Sequence, residues 1–105
     1  MPGVVRDNER EQRFEIELDG ELAGILQYRR HPSQIALVHT EIETRFQGRG
    51  LASELIGWAL DSARAQSLAV LPVCPFVQGY IQEHPDYLDL VPPNRRAHFK
   101  LPNSH

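Results

Sequence analysis

The segment Thr44-Arg-Phe-Gln-Gly-Arg-Gly-Leu-Ala-Ser-Glu-Leu-Ile56 decides the fold, because an apolar strand pattern ends here, glycines follow and a helical pattern begins at once. Glycine allows successive backbone N–H groups to converge, since no Cβ stands between them. The first turn of the helix adds N–H groups without intrahelical acceptors and the positive end of the helix dipole. The segment therefore predicts an anion site, and we expect a phosphorylated ligand.

Two familiar phosphate-binding loops do not fit these glycines. No Gly-Lys-Ser/Thr is present, which excludes a Walker loop. A dinucleotide-binding fingerprint would place a third glycine-like residue at the position of Ser53 and a ribose-binding acid about twenty residues further on. Val70 stands there instead, with no acidic residue nearby.

A third kind of loop does fit. The run Gln47-Gly48-Arg49-Gly50-Leu51-Ala52 resembles the Arg/Gln-x-x-Gly-x-Gly/Ala signature of the GNAT superfamily of N-acetyltransferases, whose loop holds the pyrophosphate of acetyl-coenzyme A. The resemblance continues in His39-Thr40-Glu41 before the loop and in Pro72-Val-Cys-Pro-Phe-Val-Gln-Gly-Tyr-Ile-Gln-Glu-His-Pro85 after it. This combination is similar to a small, single-domain GNAT subfamily that carries a cysteine near the thioester, and the match spans roughly residues 13 to 91.

Length and composition limit the classes of function that the chain can have. A chain of 105 residues forms one domain and is too short for a second, substrate-binding domain. No apolar run approaches the roughly 20 residues of a membrane span, and no basic-then-apolar leader is present, so we expect a cytoplasmic protein without a membrane partner. The net charge of −3 argues against a nucleic-acid surface. Four arginines are nevertheless expected to cluster around a small anion, namely Arg29, Arg30, Arg45 and Arg49.

Cys74 is the only cysteine, which excludes an internal disulfide and argues against a cysteine-based zinc site. Its role must be packing or chemistry. The histidines lack metal-ligand spacing, so we expect no metal site; they are His31, His39, His84, His98 and His105.

The patterns before the loop predict three strands. Residues 1–12 show no periodicity and are expected to be flexible. Phe14, Ile16 and Leu18 alternate with charged residues, as in a half-buried strand, and Asp19-Gly20 is a hairpin signal that leads into a second strand from Glu21 to about Arg30. A third strand, Ile35 to Ile42, is apolar on both faces and is expected to be central.

The patterns after the loop predict a helix from Leu51 to Gln66, with Trp58 serving simple packing. A buried strand, Leu68–Val73, should run parallel to the third strand after a right-handed βαβ crossover. A second helix begins at Pro75 and is ended by Pro85. Residues 86–91 suggest a final edge strand, and residues 92–105 suggest a flexible, Pro-rich tail with solvated Arg95, Arg96 and Lys100.

The predicted fold is therefore α/β or α+β, with a mixed, mainly antiparallel sheet in a single domain over residues 13–91. The resemblance implies that its βαβ core is the acetyl-coenzyme A site. It also implies that the two parallel strands splay apart, so that Ile42 and Val73 flank the cofactor.

His39 and Glu41 share one face of the third strand just before the loop, because residues i and i+2 of a strand point the same way. Position alone favours a non-catalytic interpretation, in which His39 is a hydrogen-bonded core histidine and Glu41 a solvated strand end. The resemblance favours a general base at one of them. Tyr80 lies where many GNAT enzymes carry a tyrosine general acid, although a tyrosine on a helix face can also be a core residue.

The sequence thus favours an acetyl-coenzyme A-dependent N-acetyltransferase acting on a primary amine of a protein or a small molecule, as a monomer or weak dimer. Backbone N–H groups from Gln47 to Ala52 would hold the pyrophosphate, with Arg45 or Arg49 in support. Cys74 would act near the thioester, either assisting direct attack by the amine or carrying the acetyl group itself. The alternatives are a non-catalytic coenzyme A-binding or interaction module and a thiol-dependent redox protein.

Overall fold

Five strands and two helices make up the computed structural model, which describes residues 3–102. Their bounds are Val4–Asn8 (β1), Arg13–Leu18 (β2), Glu21–Arg30 (β3), Gln34–Ile42 (β4), Leu51–Ala65 (α1), Ala69–Pro72 (β5) and Pro75–Glu83 (α2). The strands form one sheet in the order of the chain. β1 to β4 pair antiparallel, and β5 pairs parallel with β4. The predicted class, α+β with a mixed and mainly antiparallel sheet, is confirmed.

The β2–β3 hairpin follows from local sequence. Leu18 pairs with Glu21, which leaves Asp19 and Gly20 as a two-residue turn. Their φ angles of 55° and 79° are the left-handed values that the favoured hairpin turns require. The alternation in β2 buries Phe14 on the face that α1 covers, where its ring meets the Trp58 ring at 5.5 Å.

Helix α1 packs its apolar stripe against β2, β3, β4 and β5. The stripe consists of residues at helical spacing that are almost fully buried, namely Leu55, Ile56, Ala59, Leu60 and Ala63. The helix connects β4 to the parallel strand β5, as the sequence predicts, and it ends one residue earlier than expected. Within residues 3–102, no helix is both long enough and apolar enough to cross a bilayer.

The expectation of a flexible amino terminus is wrong for residues 4–8, which form β1 along the edge of β2. The Glu15 carboxylate explains the pairing, because it accepts hydrogen bonds from Asn8 on β1 at 3.0 Å and from Arg13 at 2.8 Å. The pKa of Glu15 is lowered chiefly by the Asn8 hydrogen bond, with further contributions from Arg13 and Arg6. Residues 1 and 2 lie outside the described part of the chain.

The carboxyl-terminal expectations also need correction. Residues Pro85–Leu90 form a 3-10 helix and not an edge strand. Helix α1 holds this segment, because Arg64 forms an ion pair with Asp89 and the Tyr87 hydroxyl donates to the Asp61 carboxylate at 2.7 Å.

The predicted flexible tail packs as far as the structure describes it. A 3-10 turn follows at Pro93–Arg95, and Phe99 and Leu101 are buried at 4% and 5% exposure. Arg96 is buried as well, contrary to expectation, because its Nε donates to the Val91 carbonyl at 3.0 Å. Residues 103–105 lie outside the described part of the chain.

Candidate active site

The loop between β4 and α1 holds its glycines in left-handed conformations. After a 3-10 turn at Thr44–Phe46, Gly48 has a φ of 80° and Gly50 a φ of 74°. Gly50 is the N-cap residue of α1. A Cβ at either position would meet no atom within 4 Å, so the backbone conformation selects glycine and the available space does not. Other residues would cost roughly 1–2 kcal/mol there.

A row of backbone donors runs along this loop into α1. Within residues 3–102, the N–H groups of residues 48–53 have no hydrogen-bond acceptor, and the first helical bond runs from the Glu54 N–H to the Gly50 carbonyl at 3.1 Å. The Gln47 N–H differs, because it donates to the Thr44 carbonyl at 3.2 Å. The predicted row therefore begins one residue later than expected. Converging N–H groups at the positive end of a helix dipole suit an anion.

A cleft of about 550 Å³ opens beside this row of donors, and we call it the loop cleft. Its walls are the end of β4, the loop, the first turn of α1 and Phe76 of α2. Six of the predicted cofactor residues line it: Ile42, Gln47, Gly48, Gly50, Leu51 and Ala52. Thr40, Phe46, Ser53 and Phe76 line it too and were missed, because each has the residue type of an ordinary strand or helix position.

Phe76 joins the loop cleft to a second groove between α1 and α2, of about 400 Å³. Helical spacing puts Phe76 on one face of α2 with Val77, Tyr80 and Ile81, yet Phe76 is 64% exposed whereas Val77 and Ile81 are fully buried. Val73, predicted to flank the cofactor, is also largely exposed and does not line the loop cleft.

The two predicted arginines lie beside the loop cleft and not in its wall. The Arg45 guanidinium lies 4.7 Å from the centroid of the Phe46 ring, and that of Arg49 lies 5.8 Å from it. Arg45 forms an ion pair with Glu21. In the described part of the chain, Arg49 has no carboxylate within ion-pair distance, so it is the better placed of the two to meet an anionic ligand.

The parallel strands separate at the loop cleft. β4 pairs with β5 only as far as Leu37 and Pro72, and the Cys74 N–H then donates to the Leu37 carbonyl at 2.9 Å. Pro72 has no N–H with which to continue the ladder. β4 runs on to Ile42, and none of the described strands pairs with it on that side.

A β-bulge lies where β4 leaves β5. Gln27 of β3 pairs with His39, whereas Tyr28 pairs with Leu37, so Val38 is the extra residue on β4. A bulge interrupts the ladder and leaves backbone polar groups unpaired. The bulge therefore places candidate N–H donors near the point where the two strands part.

His39 and Glu41 meet on one face of β4, as the sequence predicts. Their Nε2 and Oε2 atoms are 2.9 Å apart, and both side chains are exposed, by 51% and 67%. His39 is therefore not a buried core histidine. Glu41 borders the loop cleft and also a smaller pocket of about 280 Å³ that contains Ile25 and Glu43.

Cys74 is the N-cap residue of α2 and is only 2% exposed. Its Sγ lies 3.3 Å from the Thr40 Oγ1, and Thr40 is itself 7% exposed. Thr40 lines the loop cleft, whereas Cys74 does not. The structure thus places the predicted cysteine behind Thr40, a residue for which the sequence predicts no role.

The Tyr80 ring belongs to the groove between α1 and α2. It stacks on His84 with 4.1 Å between centroids, and a Cβ at Gly57 of α1 would come within 2.8 Å of its hydroxyl oxygen. Burial, and then the charge of Asp61, raises the pKa of Tyr80. Tyr80 does not line the loop cleft.

Another cavity, of about 440 Å³, lies at the opposite end of the sheet beneath the last turns of α1. Tyr28 closes it by donating from its hydroxyl to Asp7 at 2.6 Å, and burial together with this hydrogen bond raises the pKa of Tyr28. It lacks the row of unpartnered N–H groups that marks the loop cleft.

Sequence and structure comparisons agree on one family. A family model described as GCN5-related N-acetyl-transferase matches residues 13–90. The chain is 32% identical over 94 residues to "Protein NATD1" of Xenopus tropicalis, covering 86% of this chain and 85% of that protein. It is 31% identical over 96 residues to the human protein of the same name, covering 88% and 85%.

Two solved structures share the fold. The solution structure of a GCN5-like putative N-acetyltransferase from Staphylococcus aureus aligns with a TM-score of 0.65 at 20% identity, covering 85% of this chain and 87% of that one. The crystal structure of a ribosomal-protein-alanine N-acetyltransferase from Brucella melitensis aligns with a TM-score of 0.54 at 23% identity, covering 64% and 55%.

Proposed function

The chain belongs to the GCN5-related N-acetyltransferase family, and from this premise we propose that it transfers the acetyl group of acetyl-coenzyme A to a primary amine. The observation that carries the proposal is the row of unpartnered N–H groups at residues 48–53, which borders the loop cleft. Any α-helix leaves its first four N–H groups unpaired, and here the loop adds those of Gly48 and Arg49 to the row. It suits the two adjacent negative charges of a pyrophosphate.

The residues present fit acetyl-coenzyme A, which would supply a thioester, that is, an acyl group bonded to a good leaving group. The N–H groups of Gly48 to Ser53 hold the pyrophosphate, and Arg49 adds positive charge from beside Phe46. The unpaired edge of β4 offers strand-like hydrogen bonds to an extended, amide-containing arm in the gap between β4 and β5. Phe76 covers that arm from α2.

The His39–Glu41 pair is the candidate base, because an amine attacks only after it loses its proton. Glu41 is the better placed of the two, since it borders both the loop cleft and the smaller pocket behind it. We assign the amine to that smaller pocket. Its carboxylates, Glu41 and Glu43, favour a cationic acceptor, and the Ile25 side chain favours an aliphatic stem.

The reaction forms one bond and breaks another. The amine nitrogen bonds to the acyl carbon, its proton passes to the His39–Glu41 pair, and the carbon–sulfur bond breaks. The negative charge that develops on the acyl oxygen needs an N–H donor, for which the backbone at the β4 bulge, around Val38, is the candidate. The departing thiolate needs a proton, for which Tyr80 was the sequence-based candidate.

A non-catalytic module that only binds coenzyme A is the competing function, and turnover separates the two. The protein is incubated with acetyl-coenzyme A and a panel of amines that includes lysine-containing peptides, peptides with a free amino terminus and polyamines. Mass spectrometry then locates added acetyl groups. We expect catalytic acetylation of at least one cationic amine. Binding of coenzyme A with no acetylated product would instead establish the binding module, and absence of both would remove the loop cleft as a cofactor site.

A further inference from the structure

We propose that Thr40 is a catalytic residue whose hydroxyl donates the proton to the departing thiolate, with Cys74 acting behind it as the proton source. This inference rests on the proposed acetyl transfer. It assigns the acid role to a residue in the wall of the loop cleft and not to Tyr80.

Position and burial support Thr40. It lines the loop cleft, is only 7% exposed, and its hydroxyl has one hydrogen-bond partner in the described part of the chain, the Cys74 Sγ at 3.3 Å. A threonine hydroxyl can donate one hydrogen bond while it accepts another. Thr40 can therefore face a ligand in the cleft and the thiol behind it at once.

Cys74 is fixed behind Thr40 and does not itself line the loop cleft. Its N–H donates to the Leu37 carbonyl at 2.9 Å, and its carbonyl accepts from the Gln78 N–H at 3.1 Å. These bonds hold the residue at the start of α2, with 2% of its surface exposed. An acyl carbon in the loop cleft cannot reach the Sγ unless the Thr40 side chain moves away. The geometry thus favours direct attack by the amine over an acetyl-Cys74 intermediate.

The proton balance is simple. As the carbon–sulfur bond breaks, the Thr40 O–H proton passes to the departing sulfur, and the Cys74 S–H proton passes to the Thr40 oxygen. The net change moves one proton from the Cys74 thiol to the departing thiolate, and the positive end of the α2 dipole offsets part of the cost of leaving a buried thiolate at Cys74. After product release, a water in the cleft returns a proton to Cys74 along the same path. No oxidant or reductant is involved.

Tyr80 is the alternative acid, but its surroundings favour a structural role. Its hydroxyl lies against α1 near Gly57, and its ring stacks between the helices on His84. Neither contact points into the loop cleft.

The test measures kcat for amine acetylation and the coenzyme A dissociation constant in five proteins: wild type, Thr40→Val, Thr40→Ser, Cys74→Ala and the Thr40→Val/Cys74→Ala double variant. Valine keeps the shape of threonine without the hydroxyl, and serine restores the hydroxyl. We expect Thr40→Val to lose about 100-fold in kcat, the lower end of general acid catalysis. Coenzyme A affinity should change by less than about threefold, because the phosphate contacts are untouched. Thr40→Ser should recover to within several-fold of wild type.

The double variant distinguishes a proton relay, in which Cys74 supplies its proton through Thr40, from independent contributions of the two residues to kcat. When two residues act in series, substitution of either one removes the same step. The double variant should therefore lose no more kcat than Thr40→Val alone. A Thr40→Val protein that keeps wild-type kcat, or a double variant in which the losses multiply, overturns the relay. So does a cysteine-dependent acetyl adduct, found by intact mass, that an amine discharges at the rate of turnover.

The relay and the proposed function fail in different ways. If wild type binds coenzyme A but acetylates no amine, the proposed function fails and the relay falls with it. If wild type turns over and Thr40→Val does as well, only the relay fails. Thermal unfolding of each variant checks that the fold survives, and a Tyr80→Phe variant that loses kcat while Thr40→Val does not would return the acid role to Tyr80.

Discussion

At the scale of single residues, strand alternation places neighbouring side chains of β4 on opposite faces of the sheet. The Thr40 side chain contacts Cys74, while His39 and Glu41 on either side contact each other on the other face; Thr40 and Glu41 both line the loop cleft. The proposed proton acceptor and the proposed proton donor thus come from adjacent residues of one strand. The sequence allowed the His39–Glu41 pair to be predicted from its i, i+2 spacing. It could not reveal the Thr40–Cys74 contact, because that contact joins residues 34 positions apart.

The proposed base predicts a change in the pH dependence of acetyl transfer. The profile of kcat/KM in wild type should have an acidic limb, because a protonated base cannot accept the amine proton. Glu41→Gln should remove or shift that limb and lower kcat/KM by about 100-fold, and His39→Gln should have a smaller effect. Glu43→Gln is the matched control, since it removes a carboxylate from the same pocket but not the His39 contact. If both Glu41→Gln and His39→Gln keep the wild-type profile, the pair is structural.

The hydrogen bonds of the buried Glu15 carboxylate predict how the stability of the fold depends on pH. Its carboxylate is 4% exposed and accepts hydrogen bonds from Asn8, Arg13 and Arg6, which lower its pKa below the ordinary value of 4.5. A carboxylate whose folded-state pKa is lowered stabilises the fold fully above its unfolded-state pKa, and that stabilisation is lost as the pH falls through the folded-state pKa.

Glu15→Gln should therefore lower the free energy of unfolding by about 2 kcal/mol at neutral pH, since hydrogen bonds to a charged group are lost. The difference from wild type should shrink in acid, as urea unfolding at several pH values would reveal. Glu17→Gln is the control, because Glu17 is more exposed and, among the described residues, forms an ion pair with Arg6 alone. Equal losses in the two variants at neutral pH would contradict a special role for the buried carboxylate.

At the scale of elements, sequence patterns located every strand and helix that has its own periodicity. β2, β3, β4 and α1 were predicted within one or two residues. β1 was missed because five residues with one exposed and one half-buried valine carry no pattern; its pairing depends on the Glu15 network. The segment Pro85–Leu90 was misassigned because contacts of Arg64 and Asp61 from α1, and not local alternation, fix it as a 3-10 helix.

The glycine loop allows a controlled test of the anion site. Gly50→Glu adds backbone strain at a φ of 74° and places a carboxylate beside the row of N–H donors, so coenzyme A affinity should fall by at least 100-fold. Gly20→Glu is the matched control, because Gly20 has a φ of 79° and equally open space but lies in the β2–β3 turn. Both variants should lose similar stability, and only Gly50→Glu should lose binding in calorimetry. Equal affinities would show that coenzyme A binds elsewhere.

At the scale of the whole molecule, β4 lies between the two proposed substrate sites, and segments near both ends of the chain pack against the core. The loop cleft and the pocket with Glu43 meet at Glu41 and Ile42, which line both. The amide of Gly3 donates to Glu54 at 3.2 Å, and the buried Phe99 belongs to the main core. The first contact links the amino terminus to the first turn of α1. Gly3 and Phe99 are therefore part of the folded unit, although the composition of their segments gave no sign of it.

Coenzyme A should change amide hydrogen exchange both across the whole fold and locally at its binding site. A ligand that binds only the folded state adds about 2.7 kcal/mol of stability at a concentration 100 times its dissociation constant. Hydrogen exchange should report this rise in the most protected core amides, and local protection beyond it should appear at residues 48–53 and along β4 from Val38 to Ile42. The N–H groups of residues 48–53 have no partner in the described part of the chain, and this part of β4 pairs only with β3 there, which leaves its other edge open. The rim of the second cavity, which contains Asp7 and Tyr28, should gain no local protection. The Gly50→Glu protein at the same coenzyme A concentration should gain at most about 0.4 kcal/mol, because its affinity is at least 100-fold weaker, whereas the Gly20→Glu protein should match wild type. Protection centred on the second cavity would move the binding site to the opposite end of the sheet, and with it the proposed chemistry of β4.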